Sequence, residues 1–132
     1  MIYGVGVDIE NHLRFKKYLN VGGETDYLLS IYSERELQNF SQYNSHLCFA
    51  LSFCCKESVF KAFGQNWGEE CMWCDIELLF NDSPEMKQIE LVFSGRAKEL
   101  VDRDNINPNA VIDYSIGENN IIFQSVLECI KK

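Results

Sequence analysis

Ser45-His46-Leu47-Cys48-Phe49-Ala50-Leu51-Ser52-Phe53-Cys54-Cys55-Lys56-Glu57-Ser58-Val59-Phe60-Lys61-Ala62-Phe63-Gly64 is the stretch on which the fold turns. Asn44 or Ser45 caps a helix here, since a short polar side chain takes up the first free amides, and Gly64 supplies the left-handed stop. Phe49, Phe53, Phe60 and Phe63, with Leu47, Leu51 and Val59, make the helix apolar over most of its circumference. Such a helix is largely buried, and each polar residue on it needs a reason. Lys56, Glu57 and Lys61 are the charged exceptions. Glu57 and Lys61 stand four apart and share a face, flanked by Phe53, Phe60 and Gly64. On a wet helix that pair would be an ordinary contact worth about 0.2–0.5 kcal/mol. On a mostly aromatic helix two charges cost more than the pair returns, which points to a site.

Elements assemble on both sides of this helix. Residues 2–9 alternate as a strand, with Ile2, Gly4, Gly6 and Asp8 on one face and Tyr3, Val5, Val7 and Ile9 on the other. The second set is expected to be buried, and the glycines of the first allow another backbone or a ligand to come close. Residues 11–20 read as a helix, and Ser33-Glu34-Arg35-Glu36 is a capping box opening a short helix to Phe40. Beyond Gly64 come strand-like runs at Cys74–Phe80 and Gln88–Phe93, joined through Asn81-Asp82-Ser83-Pro84. Ser94 then caps a helix to about Asp102, and two last strands lie near Ala110–Ser115 and Ile121–Cys129. No repeat or linker divides the chain. The expected fold is α+β, one compact domain over residues 1–132 with a mainly antiparallel sheet and a long buried helix.

Composition narrows the function. The chain has 132 residues, 46% hydrophobic, 13% aromatic and 24% charged, which excludes a disordered or collagen-like reading. No apolar run approaches the roughly 18 residues of a membrane span, so no membrane association is expected. Neither a basic n-region nor an apolar h-region follows Met1, so the expected compartment is cytoplasmic. Twelve Lys plus Arg against 20 Asp plus Glu give a net charge of −8, a surface that repels nucleic acid. Cys71-Met72-Trp73-Cys74 has zinc-knuckle or redox spacing, but no second pair completes a tetrahedral site. The six cysteines therefore read as reduced, half-buried hydrophobes.

Asp8 is the other chemical feature. A carboxylate ending an apolar strand is commonly a turn cap, but it also suits a hard cation, because magnesium takes oxygen ligands and keeps several waters. Asp8 and Glu57 together offer two carboxylates to one magnesium, with Lys61 as a fixed positive charge beside them. That trio suits an anionic phosphate ester, whose developing charge a metal and a lysine neutralise.

Val5-Gly6-Val7-Asp8 and Phe53-Cys54-Cys55-Lys56-Glu57-Ser58-Val59-Phe60-Lys61 resemble the two signature motifs of the 4′-phosphopantetheinyl transferases, G-[IV]-D and [FW]-x-x-K-E-[AS]-x-x-K. The likeness extends to the short, single-unit branch of holo-acyl-carrier-protein synthases. Arg14, Ser33-Glu34-Arg35-Glu36-Leu37, Lys61-Ala62-Phe63-Gly64, Trp73-Cys74-Asp75-Ile76-Glu77 and Ser94-Gly95-Arg96-Ala97 are each similar to segments of that branch. The resemblance implies transfer of the 4′-phosphopantetheine arm of coenzyme A to a serine of an apo-acyl carrier protein, leaving adenosine 3′,5′-bisphosphate. It implies catalytic roles for Asp8, Glu57 and Lys61, magnesium on Asp8 and Glu57, and coenzyme A beside Lys56, Lys61 and Gly64.

Two positions depart from the family pattern. Ser52 stands where a basic residue is common, and Ser115-Ile116-Gly117 where S-H-[TD] is common. The alternative is a non-catalytic paralogue that binds a carrier protein or an assembly partner. The longer transferases contain two such units with the site between them, so the resemblance implies a homotrimer with shared sites, the last hairpin coming from a neighbour. Seventeen Phe, Tyr and Trp residues in so small a body agree with an obligate interface. Arg14 and Lys17, one turn apart, are expected to face outward as a docking patch for an acidic carrier protein.

Overall fold

The computed structural model describes residues 1–20, 26–64 and 72–130. Strand β1 (Ile2–Asn11) leads into a 3₁₀ segment (His12–Asn20). A short α1 (Asp26–Leu29) and α2 (Glu34–Ser41) precede the long α3 (His46–Phe63). A 3₁₀ turn (Trp73–Asp75) opens β2 (Ile76–Phe80), and a second (Pro84–Met86) leads to β3 (Ile89–Phe93). Helix α4 (Gly95–Arg103), β4 (Val111–Ile116) and β5 (Asn120–Glu128) complete the order. The fold is α+β with antiparallel pairing throughout. Where one sheet was expected there are two, β1-β5-β4 and β2-β3, both contacted by α3.

The expectations for α3 hold at both ends. Ser45 is the N-cap and accepts from the Leu47 amide, while Gly64 closes the helix at a φ of 62°. Its interior is the core. Cys48, Ala50, Leu51, Cys54, Cys55, Val59, Ala62 and Phe63 are all buried. Burial pushes the Cys48 thiol up to about 12 and raises Cys54 and Cys55 further, so these thiols are protonated and inert at neutral pH. Cys74 is half-buried, and Cys71 lies outside the described residues.

β1 lies on α3 with the opposite face from the one expected. Gly4, Gly6 and Asp8 turn toward the helix, and Val5, Val7 and Ile9 are exposed. The reason is backbone proximity. A Cβ at Gly4 would run into the Ala62 carbonyl, and one at Gly6 into the Ser58 carbonyl. Only a strand without side chains there can lie this close, and the branched residues are forced outward. Beside Gly6, the Ser58 and Ser125 hydroxyls meet at 2.6 Å and fasten α3 to β5.

The 3₁₀ segment buries His12, Phe15 and Tyr18, the spacing that three residues per turn dictates. It replaces the helix expected over residues 11–20. The His12 ring bridges distant parts: Nε2 lies 2.9 Å from the Gly117 carbonyl and Nδ1 lies 3.0 Å from His46 Nε2. A carbonyl only accepts, so His12 Nε2 carries a proton toward Gly117, and the His12–His46 contact joins one ring's donor to the other's acceptor.

Candidate active site

Two elements far apart in sequence deliver the central pair. The glycine face of β1 turns Asp8 inward, and the last turn of α3 carries Lys61 to it. Lys61 Nζ donates to Asp8 Oδ1 at 3.0 Å and to the Val7 carbonyl at 2.9 Å. The hydrogen bond to Asp8 raises the Lys61 pKa and so favours the ammonium form. Its side chain nonetheless remains 53% exposed. Asp8 is buried, and its Oδ2 has no hydrogen-bond partner at standard geometry among the described residues, with the Glu10 carboxyl the nearest group acting on it. A buried carboxyl oxygen without a partner costs about 1–3 kcal/mol, so a further group is expected to meet it.

Glu57 stands one turn before Lys61, half-buried, and acts on the same ammonium. Trp73 Nε1 donates to Glu57 Oε1 at 2.9 Å. The indole lies across Phe53 and Phe60, its ring centroid 5.9 Å and 6.2 Å from theirs. Arg14 closes the other side, with its guanidinium 4.5 Å above the Phe15 ring and 5.4 Å above Phe53. It is also ion-paired with Glu10. Burial and the adjoining Asp8 carboxyl raise the Glu10 pKa, which Arg14 partly offsets. Lys17 is exposed, with its ammonium 5.5 Å over Tyr18. Sequence reasoning missed Glu10 and Trp73. The signal for Glu10 was present, because position i+2 of a strand shares the face of Asp8. Nothing local pairs Trp73 with Glu57.

Lys56 requires a correction. Expected beside coenzyme A, it is 0% exposed and lies in the core. Its Nζ donates to Glu36 Oε1 at 2.7 Å and to the Ile76 carbonyl. Glu36 forms the predicted capping box with Ser33, and its Oε2 also accepts from Ser52 Oγ at 2.5 Å and the Leu78 amide at 3.1 Å. One buried carboxylate thus joins α2, α3 and β2, and charges that α3 could not carry alone are paired and hydrogen-bonded. Ser52 is equally buried and belongs to this network. Gly64 is exposed, with open space where a Cβ would stand. At Gly117, where the family pattern has its histidine region, the His12 ring approaches from β1's end instead.

Among the described residues, no three His, Cys, Asp or Glu side chains converge to hold a metal by themselves. Asp8 and Glu57 both act on the Lys61 ammonium, and the Asp8 oxygen without a partner among the described residues fits a cation that keeps most of its waters.

A holo-[acyl-carrier-protein] synthase of Geobacter sp. (strain M21) is 37% identical over 101 residues, 76% of this chain and 78% of that protein. One from Pediococcus pentosaceus is 31% identical over 131 residues, covering 97% of this chain and 98% of the relative. The structure of holo-ACP synthase from Plasmodium yoelii superposes with a TM-score of 0.76 at 20% identity, over 99% of this chain and 98% of the other. That of a holo-(acyl-carrier-protein) synthase from Bacillus anthracis, in complex with CoA (3′,5′-ADP), superposes at 0.71 and 24% identity, over 98% and 99%. The family model for the 4′-phosphopantetheinyl transferase superfamily matches residues 4–112, and with both signature motifs in place the chain belongs to that superfamily.

Proposed function

We propose that this protein transfers the 4′-phosphopantetheine arm of coenzyme A to a serine of an apo-acyl carrier protein, releasing adenosine 3′,5′-bisphosphate, with magnesium held by Asp8 and Glu57. The observation that carries the reading is the Asp8–Lys61 contact at 3.0 Å, which leaves Asp8 Oδ2 without a hydrogen-bond partner among the described residues. A bound magnesium would supply charge neutralisation on phosphate oxygens. The chain's own residues do the rest. Lys61, fixed at one end by Asp8 and Val7, keeps an exposed ammonium for the pyrophosphate oxygens. It stabilises charge as the serine oxygen bonds to the phosphorus bearing the pantetheine arm and the bond to the adenosine 5′-phosphate breaks. The serine proton passes to a water held by the carboxylates. Gly64, just beyond Lys61, leaves open space for the substrate. Arg14 and Lys17 stand on one ridge of the 3₁₀ segment, where an acidic carrier protein would dock.

The exposed face of the three-stranded sheet supports self-association. Val5, Val7 and Ile9 are 55%, 45% and 61% exposed, and Ile122 and Val111 extend the same surface on β5 and β4. A contiguous branched apolar face of this kind marks an interface. We infer a homotrimer whose sites lie at subunit boundaries. The test of activity is intact mass spectrometry of apo-carrier proteins incubated with the protein, coenzyme A and magnesium. A gain of one phosphopantetheine is expected, and a panel of carriers left unmodified would favour a binding paralogue. Light scattering that reports a monomer at micromolar concentration would remove the shared site.

A further inference from the structure

Glu57 and Lys56 are consecutive on α3, and both reach the same short segment. Lys56 holds it from inside at the Ile76 carbonyl, and Trp73 touches Glu57 from outside at 2.9 Å. That segment is itself fixed: the Asp75 carboxylate accepts from the Met72 amide at 3.2 Å, and the Asp75 carbonyl accepts from the Ser94 amide at 2.8 Å. The indole is clamped further by its packing on Phe53 and Phe60. A rigid donor therefore meets a half-exposed carboxylate on a long, rotamer-rich side chain.

We propose that Trp73 is a positioning residue, whose indole N–H fixes the Glu57 carboxylate with one oxygen engaged and the other free for the cation. This rests on the reading of Glu57 as a magnesium carboxylate. Indole nitrogen donates only, so it orients the carboxylate without competing for the metal. Phenylalanine at position 73 would keep the ring stack and lose the hydrogen bond. Partners that orient a metal-binding group change affinity by about 10- to 100-fold when removed.

The test is Mn²⁺ binding to the full chain, read from the electron paramagnetic resonance of the free ion, for wild type, Trp73→Phe, Glu57→Gln and the double variant. Trp73→Phe is expected to weaken Mn²⁺ about tenfold with an unchanged melting temperature, at the low end of that range. The double variant should bind no worse than Glu57→Gln, because the indole acts only through that carboxylate. Apparent KM for Mg²⁺ in transfer should rise while kcat at saturating Mg²⁺ holds. Tryptophan emission should shift on adding Mg²⁺ to wild type, and that shift should be lost in Glu57→Gln. Wild-type affinity in Trp73→Phe, or losses that add in the double variant, would overturn the proposal. Equal Mn²⁺ binding by wild type, Asp8→Asn and Glu57→Gln would instead overturn the magnesium reading beneath it.

Discussion

Lys56 and Lys61 lie on the same helix within two turns, yet their surroundings are opposite. Lys56 is 0% exposed, and its partners Glu36 and the Ile76 carbonyl enclose it. Lys61 is half-exposed and holds one oxygen of a carboxylate whose other oxygen is left over. A buried charge network whose charged groups pair with one another is closed, and any ligand entering it would have to break it. The Lys61 pair is open on its solvent side, and among the described residues its leftover oxygen accepts no hydrogen bond, with only the Glu10 carboxyl adjoining. The motif K-E-x-x-x-K thus places an enclosed lysine and an open one on the same helix.

The sharpest way to break this contrast is to remove Lys56. Lys56→Met leaves Glu36 buried and unpaired, so a loss of about 3–5 kcal/mol is expected in urea unfolding. Adding Glu36→Gln should recover part of it, because the stranded charge is gone. If single and double variants are equally unstable, the network owes little to charge. Lys61→Ala should act mainly on turnover. Asp8 is buried although Lys61 is half-exposed, so losing the pair should cost about 1–3 kcal/mol of folding, less than Lys56→Met, and lower the melting temperature modestly. Turnover of coenzyme A should fall by about 10²–10³-fold, the usual cost of losing one group that stabilises developing charge. Turnover close to wild type at saturating magnesium and coenzyme A would make Lys61 as structural as Lys56.

The sequence made α3, its cap at Ser45, its stop at Gly64 and the Ser33–Glu36 box legible, because each rests on neighbours within a turn. It could not tell the two lysines apart. α3 is apolar nearly all round, so its periodicity has no wet side against which to sort charges, and the Glu36 and Ile76 partners of Lys56 lie 20 residues away in either direction. The face of β1 was misread for a related reason: hydrophobicity favours burying Val5, Val7 and Ile9, whereas close approach to α3 selects glycine. The two motifs did bring Asp8 and Lys61 together. Trp73 was unreadable as a partner of Glu57, since their contact depends on where β2 begins.

Arg14 sharpens the comparison at the site's edge, since it is both exposed and bound into the aromatic layer. On the proposed function, Arg14→Glu should raise the carrier-protein KM roughly fivefold, about 1 kcal/mol, by reversing a charge at the docking rim. Coenzyme A kinetics should not change. An unchanged carrier KM would place docking elsewhere, and a rise in both constants would show that Arg14 serves the site itself.

The smallest effect belongs to the opposite end of α3, where a third polar side chain is neither closed in nor open but titrates. Burial lowers the His46 pKa, helped by the neighbouring His12 and by Lys16. A histidine whose folded pKa lies below its unfolded value of about 6.5 contributes stability that is fully present above that pH. As pH falls through the interval down to the depressed folded value, the unfolded chain takes up the proton first, and stability is lost. The contact also links α3 to the last hairpin, since His12 meets the Gly117 carbonyl through its ring and the Asn119 carbonyl through its amide. Urea midpoints measured from about pH 7.5 to 5.5 should therefore fall more steeply in wild type than in His46→Gln, which cannot take up the proton. The His12 amide, protected by its bond to Asn119 at 2.9 Å, should exchange faster at the acidic end in wild type. Parallel pH profiles in the two proteins would assign the acid sensitivity to other groups and leave the histidine pair as packing alone.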